Sequence, residues 1–273
     1  MNAQTSMRDA LYEAPGPKTR KKMLVGTVVS LIAVAALAAW VVYRFWVTGQ
    51  LSMRYWKLFS WHSTWRYLSI GLLGTFEVAL CAAAISIVLG LLLMLGRISS
   101  SKVLRGVCAV VVNFLRGVPS LLFIYGFFFI VPSFGLKMPA FWMLCLPVSL
   151  AASGVLAEVF RAGVNAVPRG QTEAGLSIGL SPWKVKTKIV LPQAIRFVIP
   201  SLISQLVVVV KDTALAYVVS YPDLMQNAQV LRTNYDAMVS TFLVVAVIYI
   251  LINYLINKAA VYVSRRTGAK IIR

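Results

Sequence analysis

The sequence predicts an all-α polytopic membrane protein of about six transmembrane helices, and three observations lead there. Of the 273 residues, 59% are hydrophobic and only 13% charged, whereas water-soluble domains average about 45–50% apolar and 25% charged. Uncharged apolar runs recur along the chain, each long enough to cross a roughly 30 Å hydrocarbon core, which takes about 20 residues as a helix. The basic residues fall mainly in alternate connections, as short Lys- and Arg-rich loops do when they stay on the inner side of a membrane.

Residues 1–22, with Pro15, Gly16, Pro17 and a basic cluster, read as a cytoplasmic tail. The first apolar run spans Met23 to Tyr43 and continues through Val47, longer than the core of a secretory signal, so residues 23–47 are expected to form a retained N-terminal anchor. Residues 48–68 carry Tyr55, Trp56, Phe59, Trp61, Trp65 and Tyr67 among scattered cations, a composition that favours the headgroup region of the outer face. Further runs cover Val78 to Gly96, Gly117 to Leu136, Met138 to Ala157 and Ala237 to Asn257. Another, from Phe197 to Ser220, is interrupted only by Lys211 and Asp212. An even number of crossings puts both termini, including residues 267–273, on one side. With that side cytoplasmic, the external cations are Arg44, Arg54, Lys57, Arg66, Lys137 and Arg232, and Arg116 and Lys211 lie in or beside spans. The remaining Lys and Arg residues are internal. This asymmetry accounts for the formal charge of +19 without a nucleic-acid partner.

Metal and redox chemistry find no support. Cys81, Cys108 and Cys145 sit in apolar stretches without CxxC or Cys/His spacing, and His62 stands alone. No GxxxxGK[ST] phosphate loop, HExxH or nucleophile elbow occurs, so the chain is expected to need no cofactor and neither to bind nor to hydrolyse ATP.

The largest inner loop, residues 161–196, has a structure of its own. Pro168 and Gly170 mark a turn, Gln171 to Ile178 can form two helical turns, and Gly179 suits a left-handed helix stop. Ser181 has the chemistry of an N-cap, Pro182 suits the first helical position, and Trp183 to Val190 follow before Pro192. Helix, glycine turn, helix and proline form a unit able to present a short helix to a cytoplasmic partner.

Here the chain resembles the permease subunits of ATP-binding-cassette (ABC) importers. Their fingerprint is Glu-Ala-Ala, three residues, Gly, nine residues, Ile, one residue, Leu-Pro. Glu173, Ala174, Gly179, Ile189, Leu191 and Pro192 match it, with Gly175 in place of the second Ala. Three segments resemble the polar amino-acid branch: Glu158 to Gly163 with Val167 to Gln171, Arg116 to Leu122, and Lys211 to Leu215. The resemblance covers residues 69–266. It implies a five-helix permease core with the first span as an extra helix, in a bacterial cytoplasmic membrane. It also implies a coupling helix at Gln171, Glu173, Ala174, Gly175 and Gly179 that docks on a separate ATPase. The implied partners are two ATPase subunits, a second permease subunit (another copy or a related chain), an extracellular solute-binding protein and an amino acid, glutamate first.

Charges within the spans mark the substrate route. Ser204 and Lys211 lie seven apart on one side of their helix, and Ser201, Gln205 and Asp212 lie on an adjoining side. This polar stripe is expected to line the pathway, and Glu77 to line it too or to pair with Lys211. Arg116 reads either as a boundary anchor or as a gate. Glu158 and Arg161, three apart, are expected to pair. The competing class is an ion-coupled secondary transporter or channel using Lys211, Asp212 and Glu77. It predicts interrupted helices in an internal repeat, which the sequence lacks.

Overall fold

The computed structural model describes residues 16–266, so the two tails at 1–15 and 267–273 lie outside the described residues. All regular elements among the described residues are helical. The chain divides into two units, Met1–Tyr55 and Trp56–Arg273.

The first unit contains α1, Pro17–Val47, which buries none of its residues. The helix begins earlier than the expected anchor. Residues 17–22, read as tail, are helical because Pro17 takes the first position, where its missing N–H costs nothing, and Lys and Arg are good helix formers.

A helical turn at Met53–Trp56 ends on the first residue of the second unit, where a 3₁₀ turn at Lys57–Ser60 follows and α2 then extends from His62 to Arg97. The aromatic stretch is therefore divided among several helical elements. Trp65 and Tyr67 belong to the first turns of α2, and the Trp65 indole donates to the Phe59 carbonyl at 2.7 Å.

The third expected span is broken. An amphipathic helix, α3 (Lys102–Gly117), is capped by the Ser101 hydroxyl, which accepts from the Leu104 amide. At Val118 and Pro119 the chain turns by 96° into α4, Ser120–Ser133. Proline disfavours helical backbone in the residue before it and supplies no N–H, which explains the break. At 1.5 Å per residue α4 is about 21 Å long and falls short of the hydrocarbon thickness alone. Among the described residues five helices are long and apolar enough to cross, or up to six spans when the bent pair α3 and α4 counts as one.

Helix α5, Ala140–Ala166, is the hub, packing on α2, α3, α4 and α7. Pro147 lies inside it without ending it. After the loop described below, α7 runs Leu191–Asp212 and tightens into a 3₁₀ stretch at Thr213–Val219. Two further helices follow, α8 (Leu224–Tyr235) and α9 (Met238–Arg266). The main core joins Leu68, Val78, Leu144, Val148, Val210 and Leu224 from α2, α5, α7 and α8.

Helix α8, which lies between two of the expected spans, docks on the first third of α2. The approach is close. A Cβ on Gly74 would overlap the carbonyl oxygen of Pro222, and backbone cannot move aside as a flexible side chain can. Gly74→Ala is expected to lower stability by about 2 kcal/mol. Unchanged thermal unfolding of the purified variant would show that α8 does not hold this position.

Candidate functional site

The loop between α5 and α7 is a small folded body. Helix α6, Arg169–Ser177, ends in a Schellman motif: the Leu180 amide donates to the Gly175 carbonyl at 3.2 Å and the Gly179 amide to the Leu176 carbonyl at 3.0 Å. Gly179 has φ +79°, the left-handed value glycine adopts without penalty. Gly175 is buried, and a Cβ there would lie 2.8 Å from Ile189 Cδ1 and 2.9 Å from Val185 Cγ2. The departure from the Glu-Ala-Ala pattern therefore lets α6 sit close on the following turn. Val167, Val185, Val190 and Ala194 form a miniature core beneath it.

The expected second loop helix is not separate. A turn at Pro182–Val185 leads through a π-helical turn, Lys186–Val190, straight into α7, with Pro192 in its first turn. Widening the ladder to i→i+5 lets the helix take up a proline without a break. Ser181 occupies the N-cap position, but its side chain makes no capping hydrogen bond. Two contacts brace the loop. The Lys186 ammonium donates to the Ile98 carbonyl at the end of α2, at 2.8 Å, and Gln193 donates to the Gln171 side chain at 3.1 Å. Glu173 and Ala174 face outward, beside exposed Leu176, Ile178 and Trp183. These three apolar side chains add to an exposed surface that the fingerprint alone did not indicate.

The polar stripe on α7 divides. Ser201, Ser204 and Lys211 lie on an exposed seam with Phe197 and Val208. Gln205 turns instead into an apolar cleft of about 330 Å³ between α2 and α7. Asp212 turns toward the start of α4, where the Ser120 hydroxyl lies against its carboxylate. Glu77 is exposed on α2, and its carboxylate accepts from the Tyr221 hydroxyl at 3.2 Å. It makes no ion pair with Lys211, because that ammonium lies on the α7 seam while Glu77 is held by the segment before α8. Burial, then the adjacent Glu77 carboxylate, pushes the Tyr221 phenol up to about 12, so it remains a donor at neutral pH.

At the loop end of the helices Glu158 collects three guanidiniums. Arg161 reaches Oε2 at 2.8 Å as expected, Arg116 approaches Oε1 at 3.3 Å, and Arg97 also pairs with Oε1. Arg116 is thereby fixed at the end of α3 beside the bend.

With the helical hub and its folded loop in place, the sequence can be set beside a described family. The model for "binding-protein-dependent transport system inner membrane component" covers residues 85–269. The chain belongs to this family. The transport component is 35% identical over 229 residues to the glutamate transport system permease protein of Corynebacterium glutamicum, covering 81% of this chain and 82% of that protein. It is 34% identical over 197 residues to a probable glutamine ABC transporter permease protein of Bacillus subtilis, covering 71% and 90%. Among solved structures, an amino acid ABC transporter crystallised with histidines superimposes with a TM-score of 0.70 at 27% identity, over 74% of this chain and 94% of that one.

The transport component also contains a polar cluster that sequence reasoning missed. Asp223 caps α8, accepting from the Gln226 amide at 2.7 Å, while the Thr75 hydroxyl accepts from the Leu224 amide at 3.1 Å. Asn227 donates to the Tyr67 carbonyl at 2.8 Å. The second Asp223 oxygen is fully buried without a hydrogen bond, and the Tyr249 hydroxyl faces the carboxylate just outside hydrogen-bonding geometry. Burial pushes the Asp223 carboxyl up to about 6 despite the amides that favour its charged form. The native state thus keeps a proton that the unfolded chain releases near pH 4. Stability from this group is greatest at low pH and falls as pH rises from about 4 to 6, by about 2 to 3 kcal/mol in all. Asp223→Asn should remove that slope while leaving an acceptor for Gln226. Thermal unfolding of both proteins across this window tests it, and identical pH slopes would refute the assignment. The signal for the cluster was Asp223 in N-cap position before Leu224, Ala228 and Leu231 at helical spacing.

Proposed function

We propose that the chain is the permease subunit of an ATP-driven ABC importer that moves a polar amino acid, glutamate first, across a bacterial cytoplasmic membrane by alternating access. The observation that carries this reading is the folded loop at α6, which exposes Glu173 and Ala174 beside Leu176, Ile178 and Trp183 on a rigid base. Such a surface suits docking on a separate ATPase. ATP-driven closure of two ATPases would push α6 at Glu173, with Gln171, Gly175 and Gly179 maintaining its shape. Both termini and this loop are then cytoplasmic, and a solute-binding protein delivers substrate outside.

Lys211, Ser204 and Ser201 form the pathway face of α7. Their exposure in one chain fits a route completed by a second permease subunit, either another copy or a related chain. Glu77 sits toward the outer entrance. Gln205 and Asp212 support the route from within, and Arg116, held on Glu158, acts as a boundary anchor. The names of the relatives support an amino-acid substrate, with glutamate and glutamine the leading choices.

The test is uptake of labelled glutamate, glutamine and arginine by cells lacking only this chain, before and after its return. Restored glutamate uptake that requires the ATPase is expected. Transport by the purified chain alone in liposomes, driven by an ion gradient, would replace this reading with a secondary carrier.

A further inference from the structure

The cluster around Glu158 is out of charge balance. Arg97, Arg116 and Arg161 share one carboxylate, and among the described residues no other acid forms an ion pair with any of them. Two positive charges are left over. They are unequally shielded, because the side chain of Arg97 is 16% exposed whereas those of Arg116 and Arg161 are 45% and 40% exposed. The outer two guanidiniums therefore have N–H donors free to meet a further anion, with Arg97 and Glu158 fixing their position from behind.

The surface beside them is apolar. Helix α3 turns Val112 and Leu115 into the protein and leaves Val103, Val107, Val110 and Phe114 exposed. At the 96° corner Phe114 packs edge-on against Phe123 of α4, with ring centroids 5.7 Å apart. Lys102 and Arg105 begin the same helix. An amphipathic basic helix set nearly perpendicular to its neighbour is the arrangement of a helix lying in a membrane interface. A soluble anion would use the guanidiniums and leave this apolar flank without a role. An amphiphile carrying a phosphate uses both.

We propose that Arg116 and Arg161, backed by Arg97, bind the phosphate of an anionic phospholipid headgroup at the corner between α3 and α4, with its acyl chains along the exposed apolar flank of α3. Basic pockets between membrane helices take acidic headgroups in this way, guanidinium being suited to two-pronged contact with phosphate oxygens. The site depends on the chain lying in a bilayer and not on which solute it carries.

The full chain, purified and placed in nanodiscs of equal parts phosphatidylglycerol and phosphatidylcholine, is stripped with mild detergent, and the retained lipids are counted by native mass spectrometry. Wild type is expected to keep phosphatidylglycerol about fivefold or more over phosphatidylcholine. Arg116→Gln, which leaves Glu158 paired with Arg97 and Arg161, should bring the two lipids close to parity. Arg116→Lys should keep most of the preference, and Lys137→Gln, an exposed cation outside the cluster, should keep all of it. Equal retention of both lipids by wild type, or an undiminished preference in folded Arg116→Gln, overturns the proposal. Excess soluble glycerol phosphate should leave the retained lipid in place. Its displacement of phosphatidylglycerol from wild type would indicate an aqueous anion site instead, and this arm decides even where Arg116→Gln fails to fold.

Discussion

Glu173→Lys is expected to abolish substrate uptake while leaving the protein folded and inserted. Glu173 is exposed on α6 and makes no ion pair among the described residues, so its replacement disturbs little within the chain. Its effect should appear at the proposed ATPase interface, where reversing a charge in a desolvated contact costs about 2 to 5 kcal/mol, or tenfold for each 1.4 kcal/mol. Uptake should fall by at least about tenfold, with thermal unfolding unchanged, and ATP hydrolysis by the assembled complex should no longer respond to substrate. Trp183→Ala, which removes a 55%-exposed ring from the same surface, should act in the same direction. Normal uptake by the Glu173→Lys protein would remove this helix from its proposed role.

Glu158→Gln should give the largest loss of stability. It takes one anion from three guanidiniums that tie α2, α3 and α5 together, and leaves their repulsion uncompensated. Removing one partner of a fully buried ion pair costs about 3 to 5 kcal/mol. Partial exposure of Arg116 and Arg161 reduces this to about 2 to 4 kcal/mol. For a chain of this size the midpoint should drop by about 5 to 10 °C. Arg161→Gln should cost less, because Arg97 and Arg116 remain on the carboxylate and the surplus positive charge decreases. A larger loss in Arg161→Gln than in Glu158→Gln would contradict this account of the cluster.

How much of this was legible in the sequence depended on the kind of signal. Glycine and proline chemistry was readable where backbone geometry decides the outcome, and Gly179 stops α6 as its position suggests. Apolar run length located the long helices but could not detect a turn inside an apolar stretch. Gly117, Val118 and Pro119 therefore passed as the start of one span, although the chain turns there by 96°. Helix α8 was missed because its polar residues resemble those of a loop, while the partners of Asn227 and of the Leu224 amide, the Tyr67 carbonyl and the Thr75 hydroxyl, lie far away in sequence on α2. The α7 stripe was half legible. Helical spacing grouped Ser204 with Lys211 and Gln205 with Asp212, but which group faced inward was settled by the neighbours, Ser120 for Asp212 and the α2 cleft for Gln205.

The continuous helix from Pro182 to Val219 has a mechanical consequence. Trp183 and Lys211 stand at opposite parts of one rod, about 40 Å apart along its axis at 1.5 Å per residue. Between them lie a π-helical turn at Lys186–Val190, Pro192 and Pro200, so a tilt imposed at the lower part swings Lys211 by a few ångströms only as far as these positions hold stiff. If the proposed roles of the loop and of Lys211 hold, the stiffness of α7 at those positions sets how faithfully a stroke at one end is passed on to the other.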